Sequence, residues 1–350
     1  MISNFYKKIK QTKYPYIIAE LGSNHNGDMD LAKELIISAK KSGADCVKFQ
    51  SWTKDTIFSK KKYKDNYFLQ DDYRNRKDYN LEQIVEKFSI SEIQLKEMSN
   101  FCKKINIDFA STPFSKKEVN FLVNDLKVKF IKIASMDVNN FPFLEFIAKK
   151  NKPIVLSTGL STLSEIDDAV RTIKKAGNEQ IILLHCIAIY PPKDKEVNLN
   201  NIDTLKKLYS FPVGFSDHTL GYSIPLAACA KKICIIEKHF TIDKNMFGWD
   251  HKISANPDEL KIISKESKRI VKSLGSYEII ANESDLRKNE FRRSIVVNKN
   301  KSKGSIIKLN DLDFKRPGTG IMPSELKYVV GRKLSKKLNK DDLIYWKDLI

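Results

Sequence analysis

The chain has 350 residues, with 62 Lys+Arg against 43 Asp+Glu, and a formal net charge of +19 at pH 7. A hydrophobic fraction of 41% builds a full core and excludes a disordered or collagen-like polymer. No apolar run approaches the ~20 residues of a membrane helix, and the opening residues MISNFYKKIKQTKYPY lack a signal peptide's apolar stretch, so the expected address is the cytoplasm.

From residue 16 the chain alternates between short apolar runs and amphipathic stretches. YIIAELG (16–22) reads as a strand, and DLAKELIISAKKSG (30–43) as a helix ending at Gly43. CVKFQ (46–50) is the next strand, followed by a polar insertion over 52–90. Then come helix 92–106, strand DFAST (108–112), helix 116–125, strand FIKIAS (130–135), helix 141–150 and strand PIVLSTG (153–159). The series continues with helix 162–177, strand IILLHC (181–186), helix 198–209, strand PVGFSDH (212–218), helix 223–232, strand IIEKHFT (235–241) and a long helix 256–275.

Eight strand–helix units imply a parallel sheet, and the nearly continuous apolar strands imply that both sheet faces are covered. About 250 residues is the size of a (β/α)8 TIM barrel. A doubly wound sheet would need a glycine-rich phosphate loop after the first strand, and Gly22-Ser23-Asn24-His25-Asn26-Gly27 has the wrong spacing. The barrel is therefore placed at 1–275, a polar linker at 276–290, and a small mostly-β domain at 291–350.

Scarcer residues refine this. The five cysteines (46, 102, 186, 229 and 234) are odd in number, scattered and without zinc spacing, as in a reducing compartment. Of the 62 basic residues only 9 are Arg, the residue suited to bidentate phosphate reading, and the lysines are spread evenly. The charge is thus expected to be surface, with no nucleic-acid partner.

In a barrel of this class the chemistry sits where strands end. All eight ends carry polar groups: Glu20; Lys48 with Gln50; Ser111 with Thr112; Lys132 with Ser135 and Asp137; Ser157 with Thr158; His185; Ser216, Asp217 and His218; Glu237 with His239. Lys48 and Lys132 with nearby hydroxyls suit an anionic phosphate or carboxylate. His218 and His239, at consecutive ends, can share a divalent ion with open positions left for substrate. Glu20, Asp137, Glu237 and Asp250 supply carboxylates for acid–base work or for charge balance.

The strings IIAELGSNHNG, VKFQ, STPFS, KIAS, VLSTG, HCIAIYP, GFSDHTLG, EKHFT and GWDHKISANP, in this order, resemble the sialic acid synthase (N-acetylneuraminate synthase) family. The terminal KRPGTGIMP resembles that family's antifreeze-like, or SAF, domain. The resemblance implies a barrel with a C-terminal antifreeze-like domain in a domain-swapped homodimer. It implies a transferase that condenses phosphoenolpyruvate with an N-acylmannosamine-type sugar, giving a nine-carbon nonulosonate and phosphate, with Mn²⁺ or Mg²⁺ as cofactor. By the same resemblance Lys48, Thr112, Lys132, Ser135, Ser157 and Ser216 hold phosphoenolpyruvate. His218 and His239 ligate the metal, and Glu20 and Asp137 are catalytic. Gln50, Tyr190, Asp250 and Arg316 contact the sugar, Arg316 from the partner's antifreeze-like domain.

The chain departs from the family pattern on the acceptor side. Asp137 stands where these synthases commonly carry Glu, Ala188 where they carry Asn, and Gly248-Trp249-Asp250 where they carry Gly-Pro-Asp. Legionaminate and pseudaminate synthases, which share the scaffold and use 6-deoxy diacetamido sugars, are the alternative. Rival chemistries are a Schiff-base aldolase on Lys132 and a sugar-phosphate synthase. A glycan- or nucleic-acid-binding protein is the non-enzymatic rival.

Overall fold

The computed structural model describes residues 2–65 and 80–350, so residues 66–79 of the polar insertion lie outside it. The chain divides into two compact units, 1–275 and 276–350.

In the first unit the apolar runs form β1 (Tyr16–Gly22), β2 (Cys46–Gln50), β3 (Asp108–Thr112), β4 (Ile131–Ile133), β5 (Ile154–Ser157), β6 (Ile181–Cys186), β7 (Val213–Asp217) and β8 (Ile235–His239). They make one sheet in the order β3-β2-β1-β8-β7-β6-β5-β4. The strand pairs are parallel, β1 pairs with β8, and β3 lies beside β4. The ring is the expected (β/α)8 barrel. The connecting helices start where side chains satisfy the free N–H groups of the first turn: Ser91 with Gln94, Thr162 with Glu165, and Asn256 with Glu259 each form a capping box.

Strand parity sorts side chains between two cores. Ile17, Val47, Leu156 and Leu183 join the large cluster between sheet and helices. Ile18, Ala110, Val155, Ile182, Leu184 and Ile235 fill the barrel's interior. That interior is tight at Gly214, where a Cβ would sit 2.6 Å from Leu184 Cδ2 and 2.8 Å from the Ile235 carbonyl oxygen. Periodicity assigned no element before residue 16, but the structure adds a helix, Asn4–Gln11, with Phe5, Tyr6 and Ile9 buried and its lysines outward. Phe5 stacks on Phe130 and meets Tyr16 edge-on, so the helix joins the interior cluster and closes the barrel's floor.

Two expectations change locally. The helix read over 116–125 is α-helical for Lys116–Asn120 and widens to a π-turn over Phe121–Asp125. The insertion is partly helical, at Lys54–Ile57, Lys60–Asp65 and Leu81–Phe88. Its Trp52, Leu81, Ile84, Val85 and Phe88 form a separate apolar cluster with Phe247 and Trp249.

In the second unit, the stretch read as linker ends in a helix, Asp285–Phe291. Strands β9 (Ser294–Val297) and β10 (Leu312–Lys315) pair antiparallel, and isolated bridges such as Val296–Leu343 and Leu334–Leu349 extend the β character. Ile295, Val297, Ile307, Leu334 and Ile344 centre a small core. Buried Asp311 is flanked by Lys299 and Lys301, each at 2.7 Å, which hold its carboxyl well below the usual range. Among the described residues no helix is long and apolar enough to cross a membrane.

Candidate active site

Parity that buries Ile18 and Ala110 in the floor puts Glu20, Lys48, Thr112, Lys132, Ser157, Ser216, Glu237 and His239 around a cavity of about 290 Å³ at the strands' C-terminal ends. A larger hollow, about 800 Å³, lies at the opposite end beside the helix Asn4–Gln11. Its lining includes Arg171, already paired with Asp167, and Asn178 and Gln180, whose amides bond to backbone carbonyls. Converging buried charge marks the smaller cavity as the site.

Four buried charges form its base. The Lys48 ammonium lies 2.5 Å from Glu20 Oε2 and 3.9 Å from Glu237 Oε2, and donates to Thr112 Oγ1 at 2.9 Å. Lys132 donates to Ser157 Oγ at 2.7 Å and sits 3.6 Å from Glu237 Oε1, which accepts a 3.0 Å bond from Ser216. Burial pushes the Glu20 carboxyl up to about 7; Lys48 opposes this and Glu237 adds to it. Burial would raise Glu237 as well, but the Lys132 and Lys48 ammoniums outweigh it and hold the group ionised. Burial lowers Lys132. Glu20 is therefore poised near neutrality as an acid or base, while two lysines face the space where an anion would sit.

The second cluster is aromatic and imidazole. The His218 and His239 rings lie 5.4 Å apart, and the Tyr190 ring is 4.2 Å from His218. His218 Nδ1 contacts the Ile187 carbonyl at 2.8 Å, which leaves Nε2 as the ring's free nitrogen. His239 Nδ1 is buried without a hydrogen bond, 3.7 Å from Asp250 Oδ2. Burial and the neighbouring His218 hold His239 well below its ordinary pKa, hence neutral. Burial works against a charged His218, but Cys186 and the Ile187 carbonyl outweigh it and raise its pKa. The neutral His239 ring, the Nε2 of His218 and the carboxylate beside them fit a divalent ion held by few protein ligands. No cluster of three or more ligating side chains occurs among the described residues.

The remaining sequence candidates divide. Gln50, Ser135, Tyr190 and Asp250 line the cavity with the others. Ser135 Oγ accepts the Gly159 N–H at 3.0 Å. Asp137 does not line the cavity: it closes a short 3-10 turn, Ser135–Asp137, and accepts a bond from Asn140. Arg316 belongs to the second unit, where its guanidinium stacks over Phe291 at 4.8 Å. The strand-end reading of His185 is corrected. It faces outward, its Nε2 on the Val197 carbonyl, and Cys186 lines the cavity instead. Ser111 and Asp217 also face away, Ser111 paired with Ser51 and Asp217 with Lys238. Glu237, read only as acid or charge balance, turns out to touch both lysines and Ser216. Its alternation with Ile235 and with His239, a ligand candidate on the same strand face, was the signal.

The model of the NeuB family matches residues 35–278, and that of the SAF domain matches 292–350. The chain belongs to the NeuB family. It is 42% identical, over 95% of its length and 99% of the relative's, to the N,N'-diacetyllegionaminic acid synthase of Campylobacter jejuni. It is 39% identical to the Legionella pneumophila protein of the same name, over 95% of this chain and 94% of that one. Among solved structures, the N-acetylneuraminic acid (sialic acid) synthetase of Leptospira borgpetersenii matches with a TM-score of 0.69. It is 35% identical and the match covers 79% of this chain and 90% of that one.

Proposed function

We propose that this chain condenses phosphoenolpyruvate with a 6-deoxy-2,4-diacetamido hexose to give N,N'-diacetyllegionaminate and phosphate. The observation that carries the condensation is the pair Lys48 and Lys132 facing one cavity with Glu20 beside them. The two curated relatives named above support the choice of acceptor. So does the cavity's apolar wall of Met136, Leu160 and Ala188, which suits a sugar bearing a methyl in place of a hydroxyl.

The residues then divide the work. Lys48, Lys132, Thr112, Ser157 and Ser216 hold the donor's phosphate and carboxylate. C3 of the donor forms a bond to the acceptor's aldehyde carbon, water adds at C2, and phosphate leaves by C–O cleavage. Glu20, with its raised pKa, moves the water's proton. Glu237, fixed as an anion, favours the charged form of both lysines, against the burial that lowers Lys132. His218 and His239 would hold a divalent ion, Mn²⁺ or Mg²⁺, whose chemistry there is polarisation of the aldehyde oxygen. Gln50, Tyr190 and Asp250 position the acceptor.

The working unit is a homodimer in the cytoplasm, with Arg316 from a second copy reaching the acceptor's N-acyl group. Subunit complementation tests that part: inactive Lys132→Met mixed with inactive Arg316→Ala should regain activity, and a silent mixture would reject it. The function itself is tested by phosphate release from phosphoenolpyruvate with a panel of acceptors. The diacetamido hexose should give the highest kcat/KM. A higher value with N-acetylmannosamine would move the chain to sialic acid synthesis. Turnover with neither sugar, or a borohydride-trapped pyruvate adduct, would reject the condensation.

A further inference from the structure

Gln50 donates from Nε2 to Glu20 Oε1 at 2.9 Å, and its Oε1 accepts from the indole Nε1 of Trp52 at 2.8 Å. An amide can flip and present either end to a neighbour, but an indole can only donate. The indole therefore fixes which end of Gln50 carries oxygen, and the opposite end must offer N–H to Glu20. With the amide reversed, an oxygen would face the ionised Glu20 carboxylate and an N–H would face the indole N–H, so both contacts would be lost.

We propose that Trp52 is a positioning residue for Glu20, acting through Gln50. Trp52 is buried (2% exposed) between the apolar residues of the insertion and the loop that carries Asp250. Its ring lies 5.6 Å from that of Trp249, so its own orientation is set by packing. The insertion after β2 (Cys46–Gln50) thus has a task at the reacting end of the cavity: it holds one N–H where Glu20 needs a donor. The charged groups facing Glu20 from neighbouring strands are Lys48 at 2.5 Å and Glu237, with Asp250 near Gly22. Lys48 fixes one carboxylate oxygen and Gln50 the other.

This inference rests on the proposed condensation for its kinetic arm, but its spectroscopic arm does not. The chain has three tryptophans, so a proton–nitrogen spectrum carries three indole cross-peaks. Gln50→Ala should shift one of them, the one missing in Trp52→Phe, and leave the other two in place. Kinetically, Trp52→Phe keeps the aromatic packing and removes only the N–H. It should lower kcat about tenfold, the scale of one lost hydrogen bond, with KM for phosphoenolpyruvate unchanged. The double variant with Gln50→Ala should be no slower than Gln50→Ala alone, because both changes break one relay. Additive losses, or an indole peak indifferent to Gln50, would overturn the proposal. A shifted peak in a protein that condenses nothing would keep the relay and reject the reaction.

Discussion

The barrel buries two sets of opposite charges, and they are built differently. On the outer side of the sheet Lys238 meets Asp217 at 2.6 Å and the Thr219 carbonyl at 2.7 Å, and Asp217 accepts the Thr219 N–H at 3.0 Å. Each partner there has what it needs. On the inner side two lysines share two carboxylates at 2.5, 3.6 and 3.9 Å, and Glu20 retains a proton up to about pH 7. The outer pair is closed, whereas the inner set keeps cationic donors turned to the cavity. A buried charge completed by its own protein is architecture; one left to be completed by a ligand is a binding site.

The comparison breaks most visibly at the inner set. Lys132→Met should lower phosphate release by about a thousandfold, as expected when a charge stabiliser in a dry site is removed. The barrel should stay folded, because Lys48 and Ser216 still face the Glu237 carboxylate that the variant leaves behind. Unfolding of that variant would place Lys132 in the architecture instead.

The converse change is Lys238→Met. It strands Asp217 without a counter-charge and should cost about 3–5 kcal/mol of stability by denaturant titration. Turnover per folded molecule should stay within the same order of magnitude. Adding Asp217→Leu should recover most of the loss, which a pair needed for chemistry would not do.

pH sharpens the contrast. The folded Glu20 carboxyl holds its proton up to about 7, against 4.5 for the free group. Its contribution to stability is thus fully present below about 4.5 and is lost as pH rises through 7. The rate profile should show a limb near pH 7 that disappears in Glu20→Gln. A limb unchanged in that variant would assign it elsewhere.

The smallest effect lies in the second unit. Asp311→Asn removes the partner of Lys299 and Lys301, and should make that unit's backbone amides exchange faster without changing kcat. Uniform protection would mean that its core alone sets its stability.

Much of this was legible beforehand, for identifiable reasons. Both sheet faces are covered, so the eight apolar runs and their helices stood out, and the strand-end rule located the site. The inner face was harder. His185 and Cys186 differ by one residue, and one residue of parity moves a side chain from the helix layer to the cavity. Asp137 followed β4 closely enough to count as a strand end, but a 3-10 turn carries it off the cavity's lining. The role of Trp52 had no sequence signal, because it depends on which way a neighbouring amide is turned. The helix Asn4–Gln11 was missed because eight residues show only two turns of periodicity.

That helix has a consequence for traffic. With Phe5, Tyr6 and Ile9 sealing the floor, the described residues leave the barrel's lysines facing the cavity at the strands' C-terminal ends. Tyr190 and Asp250 line that same cavity with the lysines. Ordered binding is the expected outcome, the occupant beside the lysines first, and product-inhibition patterns check it.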